Sequence, residues 1–193
     1  VAQKQRRYQE AIAFYQKALQ IYEDAGDDYK AASDYHQLGR VAYQQRRYQE
    51  ATAFYQKALQ IFEDAGDSYK AADVYHQLGN VAEEQRRYQE AIAFYQKALQ
   101  IFEDAGDSYK AADEYHNLGN VAYQQRRYQK AIAFYQKALQ IFEDAGDSYN
   151  AADVYHQLGN VAYQQRRYQE AIAFYQKALQ IYEDAGDAIG RAS

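Results

Sequence analysis

Apolar and small residues recur along the chain at the spacing of one face of an α-helix. Between residues 68 and 107, a first set steps by three and four positions, at Ala71, Tyr75, Leu78 and Ala82. A second set continues the spacing through the next stretch, at Tyr88, Ala91, Ile92, Tyr95, Ala98, Leu99 and Phe102. Because residues three and four apart share one side of a helix, each set predicts an amphipathic helix, and the two together predict a helical hairpin.

The residues between these sets are typical of helix ends. Gly66 tolerates the left-handed backbone that ends many helices, and Asp67 and Ser68 are good caps for the helix that follows. A shift of the apolar phase at Tyr88 predicts the other break, in a segment that contains neither glycine nor proline. No stretch alternates with the period of two that is typical of strands, so the sequence predicts an all-α protein.

The same pattern is repeated along the chain. The leucine of the first set recurs every forty residues, at Leu38, Leu78, Leu118 and Leu158. Stacked copies bury the faces that a single hairpin would leave in water. Residues 1–193 therefore form a single array: a partial leading copy (1–27), copies 1 to 4 (28–67, 68–107, 108–147 and 148–187) and the start of a further copy (188–193). Since the array starts and stops within copies, we expect a window of a longer protein.

The residues of one copy resemble a known repeat family. Tyr75-x2-Leu78-Gly79-x2-Ala82, followed by Ala91-x3-Tyr95, is similar to the tetratricopeptide repeat pattern. The stretch RRYQEAIAFYQKALQI is similar to the second helix of that family. Tyrosine replaces the usual tryptophan, alanine replaces the first-helix tyrosine, the terminal proline is missing, and the period exceeds the standard repeat of about 34 residues. The resemblance implies a right-handed superhelical solenoid of antiparallel helical hairpins that serves as a protein-interaction scaffold.

Composition excludes several other functions. A net charge of −5 argues against a dedicated nucleic-acid binder, and the absence of cysteine excludes thiolate catalysis and zinc-finger spacing. No apolar run is long enough to span a membrane. Histidine occurs once per copy, and equivalent positions on stacked helices lie roughly 8–10 Å apart, too far for one metal ion. We expect no enzymatic activity, no cofactor and, in the absence of a targeting segment, a cytoplasmic location.

The resemblance also implies a binding surface for a protein or peptide partner. In the family, first helices line a concave groove that holds an extended peptide, and the asparagine after Leu-Gly contacts the peptide backbone. Carried over by position, the groove residues are His36, Arg40, Tyr43, Asp73, His76, Asn80, Glu83, Asp113, His116, Asn120, Tyr123, Gln124, Asp153, His156, Asn160 and Tyr163. The alternative is a structural spacer, or an array that associates with itself through its uncapped ends.

A second candidate surface is basic. Arginine pairs fall on the predicted hairpin turns, beginning with Arg6 and Arg7. The pairs of the full copies define a possible basic edge: Arg46, Arg47, Arg86, Arg87, Arg126, Arg127, Arg166 and Arg167. Such an edge could bind an acidic peptide, but a cation at the end of a helix is also stabilising without any ligand.

Overall fold

The structure, a computed structural model, describes residues 2–191 and the side chains of residues 6–184. Over that range the chain forms nine α-helices and no strand, which confirms the predicted all-α, tetratricopeptide-like fold class. The helices are α1 (Ala2–Ala25), α2 (Asp28–Gln44), α3 (Tyr48–Asp64), α4 (Ser68–Glu84), α5 (Tyr88–Asp104), α6 (Ser108–Gln124), α7 (Tyr128–Asp144), α8 (Ser148–Gln164) and α9 (Tyr168–Arg191).

The helices group into two compact units, residues 1–101 and residues 102–193. In the first unit, each helix from α1 to α4 packs against the next, and α4 packs against the part of α5 that belongs to this unit. In the second unit, α6 packs against α7, α7 against α8, and α8 against α9. Each unit therefore buries its apolar stripes between successive helices.

Aspartate caps the first helix of every full copy. The Asp67 side chain accepts a hydrogen bond from the backbone N–H of Lys70, 2.9 Å away. The same contact holds α2, α6 and α8, through Asp27, Asp107 and Asp147. Just before the cap, Gly66 has φ 72°, which confirms the left-handed glycine predicted at this turn.

The other turn of each hairpin takes the same left-handed conformation with an arginine. Arg86 has φ 58°, and its N–H donates to the carbonyl of Glu83 at 2.8 Å. The next N–H, of Arg87, donates to the carbonyl of Ala82 at 2.8 Å. These two bonds close the end of α4 and place the start of α5 at Tyr88, where the phase shift predicts it.

The two ends of the chain differ from the full copies. Arg6 and Arg7, expected at a hairpin turn, lie inside the continuous helix α1, where Arg6 pairs with Glu10 at 2.9 Å. The prediction of a turn there is wrong, because this segment consists of good helix formers and no described first helix packs against it. Helix α9 likewise runs through Gly186 to Arg191. The further copy expected at 188–193 extends beyond the described residues.

Close packing of each hairpin depends on one glycine and one tyrosine. A Cβ atom on Gly79 would lie 2.4 Å from Cε1 of Tyr95, whose side chain is fully buried. The glycine therefore lets the tyrosine ring pack directly against α4, and its hydroxyl group donates to the next residue of that helix, Asn80. This arrangement links the core to the candidate site.

Candidate functional site

The predicted groove residues lie on one face of the first helices, here called the first-helix face. In the first unit, Arg40 is exposed, and the other predicted residues are half-buried: His36, Tyr43, Asp73, His76, Asn80 and Glu83. In the second unit, Gln124, His156 and Tyr163 are exposed, and the half-buried residues are Asp113, His116, Asn120, Tyr123, Asp153 and Asn160. Each unit therefore presents its own accessible stretch of this face.

Asparagine on the first-helix face is held in place by a tyrosine from the second helix. The Tyr95 hydroxyl donates to Oδ1 of Asn80 at 2.8 Å, and it also lies 2.8 Å from a carboxylate oxygen of Glu83. In the second unit, Tyr135 binds Asn120 in the same way, also at 2.8 Å. The bond occupies the amide oxygen, so the Nδ2 amino group, with its two N–H donors, is what the asparagine offers to a ligand.

Copy 1 lacks this contact. Arg40 stands in the place of the asparagine, and a guanidinium has no acceptor atom for the Tyr55 hydroxyl. That hydroxyl is buried without a hydrogen-bond partner among the described residues, and the Tyr55 side chain is 0% exposed. Arg40 itself is exposed, and its guanidinium donates to Oε1 of Gln37 at 3.4 Å.

Two histidines of the first-helix face, His36 and His116, are partly covered by aromatic and charged neighbours. Burial, together with the nearby Arg40, lowers the pKa of His36 to about 4. The His36 ring lies 5.7 Å from the ring of Tyr55. In the second unit, burial lowers the pKa of His116, against the opposing effect of Asp153, whose carboxylate is 3.3 Å from Nε2. His36 and His116 are therefore neutral at pH 7 and add no positive charge to this face.

The tyrosines at the far end of the first helices pair with tyrosines of the second helices. The rings of Tyr123 and Tyr128 are 6.0 Å apart, and those of Tyr43 and Tyr48 are 5.9 Å apart. Each pair sits beside the hairpin turn and forms an aromatic end to the first-helix face. Copy 2 has Glu83 at this position, which makes its end of the face acidic.

The basic edge is exposed at all eight predicted positions. The second arginine of most pairs is neutralised locally, as Arg87 is by Glu90, 2.5 Å away. In copy 3, Lys130 replaces that glutamate, so the turn of Arg126 and Arg127 carries no acidic residue in the first turn of α7. A shallow cavity lies beside the turn of copy 1, lined by Arg46, Arg47, Tyr48, Gln49, Glu50 and Gln85.

The opposite side of the first helices carries a cluster that the sequence analysis did not identify. The Tyr75 hydroxyl donates to Glu63 of the preceding helix, and the Lys97 ammonium lies 3.3 Å from that hydroxyl and 4.7 Å from the ring centroid. The same three residue types recur in every full copy. In each copy the glutamate lies 12 positions before the tyrosine and the lysine lies 22 positions after it. This repeated spacing is visible in the sequence and could have indicated the cluster.

The described residues offer neither a metal site nor a helix that could cross a membrane. Among residues with described side chains, no three histidine, aspartate or glutamate residues are grouped to hold a metal ion. None of the described helices combines the length and apolar character that crossing a membrane requires.

Comparison with known proteins identifies the family. Residues 1–64, 35–104, 70–143 and 110–184 match the family described as tetratricopeptide repeat. Similar solved structures include BtubC (BKLC) from P. vanneervenii, with a TM-score of 0.87 and 24% identity over 95% of this chain and 76% of that one. The apo form of RapI has a TM-score of 0.86 and 20% identity over 95% of this chain and 67% of that one. MamA has a TM-score of 0.71 and 22% identity over 96% of this chain and 94% of that one. These identities show a shared fold. None of the curated proteins matches the chain.

Proposed function

Because this chain belongs to the tetratricopeptide repeat family, we propose that it is a non-enzymatic scaffold that binds an extended peptide segment of a protein partner on its first-helix face. Family membership supports a general role in protein interaction. The more specific proposal, that a peptide binds on the first-helix face, rests on the asparagines of that face.

The proposal rests on the hydrogen bond between the Tyr95 hydroxyl and the Asn80 side chain. The 2.8 Å bond fixes the amide in one orientation before any ligand arrives, which lowers the entropy cost of binding. With Oδ1 taken by the tyrosine hydroxyl, Nδ2 of Asn80, and likewise of Asn120, is the donor end of the amide. Such donors can bind backbone carbonyls of a peptide whatever its sequence.

The experiment is a selection of displayed peptides on the immobilised protein, repeated on the double variant Asn80→Asp and Asn120→Asp. Aspartate keeps an oxygen for the tyrosine hydroxyl, so the hairpins stay closed, but it has no N–H to donate. A control variant with Gln96→Glu and Gln136→Glu makes the same charge change at exposed second-helix positions.

Peptides that bind the parent and the glutamate control, but bind the aspartate variant at least tenfold more weakly, would support the proposal. Enrichment that is equal on all three proteins would contradict binding through the asparagines. The next variants to test would then be those of the basic edge, our second candidate contact for an acidic partner segment.

Self-association is the alternative that a separate observation favours. Ile172 and Leu179 on α9 are 47% and 56% exposed, and Phe14 on α1 is 71% exposed. The equivalent residues within the full copies are half-buried, as Ile92, Leu99 and Phe54 are. Light scattering over a concentration series should show a rising mass that Leu179→Glu abolishes. A mass that stays that of one chain at millimolar concentration would refute self-association.

A further inference from the structure

One charge reversal separates copy 3 from the other full copies along the basic edge. In copies 1, 2 and 4, a glutamate three positions after the second arginine pairs with it, as Glu170 pairs with Arg167 at 2.6 Å. Copy 3 has Lys130 at this position, and the first turn of α7 carries no acidic residue. Arg126, Arg127 and Lys130 therefore add three positive charges to one turn.

The equivalent turn of copy 1 shows how side chains at these positions are arranged. Arg46, Arg47 and Glu50 line the same cavity, which has a volume of about 390 Å³. The backbone of copy 3 matches this turn, because Arg126 has φ 58° where Arg46 has φ 60°. The N–H of each of these two arginines donates to the tyrosine carbonyl three residues earlier at 2.8 Å. We therefore expect the three cations of copy 3 to face a common cavity.

The first helices beside the copy 3 turn end in neutral residues. In the second unit, α6 ends in Gln124 and α8 ends in Gln164. The copy 1 turn differs, because α4 ends in Glu84, which accepts a hydrogen bond from the Tyr48 hydroxyl at 3.1 Å. All three cations of copy 3 are exposed, so a ligand can reach them. Like charges three positions apart on a helix repel each other, and an anion between them would relieve that repulsion.

The number of cations favours a phosphate monoester over a carboxylate. A carboxylate has two acceptor oxygens, and a single guanidinium can satisfy both of them. A phosphorylated serine or threonine carries a charge of about −1.5 to −2 and three acceptor oxygens. Those oxygens are enough for two guanidinium groups and one ammonium group, which are all donors.

We infer that Arg126, Arg127 and Lys130 bind a phosphorylated side chain of the partner segment. This inference rests on the proposed function, because it names a chemical feature of the same partner. It adds a contact on the basic edge, at the turn between α6 and α7. The matching turns of the other full copies keep their glutamate, so we expect them to bind the phosphate group more weakly.

The test uses the anisotropy of a fluorescein-labelled peptide, Ala-Ala-phosphoSer-Ala-Ala-NH2, at about pH 7.5, where the phosphate is mostly a dianion. Unlabelled competitors are the same peptide, its versions with glutamate or serine at the centre, and a thymidine trinucleotide without terminal phosphates. The trinucleotide carries a similar charge on two phosphodiesters. We expect the phosphopeptide to compete roughly tenfold better than each of the others.

The repeats supply matched variants. Lys130→Glu gives copy 3 the residue that the other full copies carry, so the hairpin should stay folded, and we expect the phosphopeptide affinity to fall roughly tenfold or more. In that background, Glu50→Lys with Glu84→Gln gives the copy 1 cavity the charges of the copy 3 turn and should restore binding. The control with Gln96→Glu and Gln136→Glu makes the same change of net charge as Lys130→Glu and should bind like the parent.

Three results would each overturn the inference. The first is equal affinity of the parent and Lys130→Glu for the phosphopeptide. The second is a failure of the copy 1 substitutions to restore binding. The third is equal competition by the glutamate peptide or by the trinucleotide, which would show that the turn responds to negative charge alone or to nucleic acid.

The outcome is separable from the test of the proposed function. Asparagine-dependent peptide binding without a contribution from Lys130 would leave the scaffold proposal standing and reject the phosphate site. Phosphopeptide binding that depends on Lys130, together with a failed peptide selection, would establish the site and reject binding through the asparagines.

Discussion

Two turns in each copy use the same left-handed backbone, but only one of them uses glycine. Gly66 has φ 72° and Arg86 has φ 58°, and the remaining copies repeat this difference. An L-residue in this conformation brings its Cβ close to a carbonyl oxygen, which glycine avoids. We therefore predict that Arg86→Gly stabilises the protein.

The magnitude follows from two opposing effects. The left-handed conformation costs a residue with a Cβ about 1–2 kcal/mol. Glycine gives up part of this gain, because its greater freedom in the unfolded chain costs about 0.5–1 kcal/mol. The net expected gain is about 0.5–1 kcal/mol for one turn. Arg86 is exposed, so the substitution removes little packing that would offset the gain.

The assay is the urea midpoint, with Gly66→Ala as the reciprocal variant. A Cβ on Gly66 meets no atom within 4 Å, so any loss of stability there reports the backbone conformation alone. We expect Arg86→Gly to raise the midpoint and Gly66→Ala to lower it, with unchanged slopes. A destabilised Arg86→Gly together with a destabilised Gly66→Ala would refute the reasoning, because the arginine side chain would then contribute more than the backbone strain costs.

Two further predictions concern buried groups. Gly79→Ala should lower the thermal midpoint, since overpacking against Tyr95 costs about 1–3 kcal/mol and exceeds the gain in helix propensity; an unchanged midpoint would contradict it. The folded pKa of His36, about 4, lies below its unfolded value, so the folded state binds fewer protons and its stability falls as pH drops from about 6.5 towards 4. Compared with His36→Gln, the parent should lose on the order of 2 kcal/mol between pH 7 and pH 5; parallel pH profiles would refute this.

Local features of the fold could be predicted from the sequence because they depend on neighbours in the chain. The three- and four-residue spacing of apolar positions predicts the helices of the full copies, and Asp67 predicts the cap that the structure confirms. The break before Tyr88 follows from a change of phase. Its left-handed arginine does not follow, because the propensities of Gln85, Arg86 and Arg87 alone favour a continuous helix, as the equivalent segment of α1 shows.

Contacts between helices could not be predicted from the spacing of residues along the chain. The phase of Tyr95 predicts a core residue, but its hydroxyl contact with Asn80 depends on how closely the two helices approach at Gly79. The cluster of Tyr75, Glu63 and Lys97 joins three helices and shows in the sequence only as constant separations. Repetition helps here, since any pair in contact in one copy is expected in the others.

The copies also show where the chain departs from its own pattern, and those departures differ in what they imply. Glu114, which is 1% exposed, replaces a buried valine at a position that faces the core. Arg40 replaces an asparagine on the first-helix face, where its own side chain is exposed, although the Tyr55 hydroxyl is buried. A substitution that breaks the repeated pattern beside an accessible surface is the kind that suggests a function. For this reason we expect substitutions at Arg40, on the exposed first-helix face, to affect binding, and substitutions at Glu114 to affect stability.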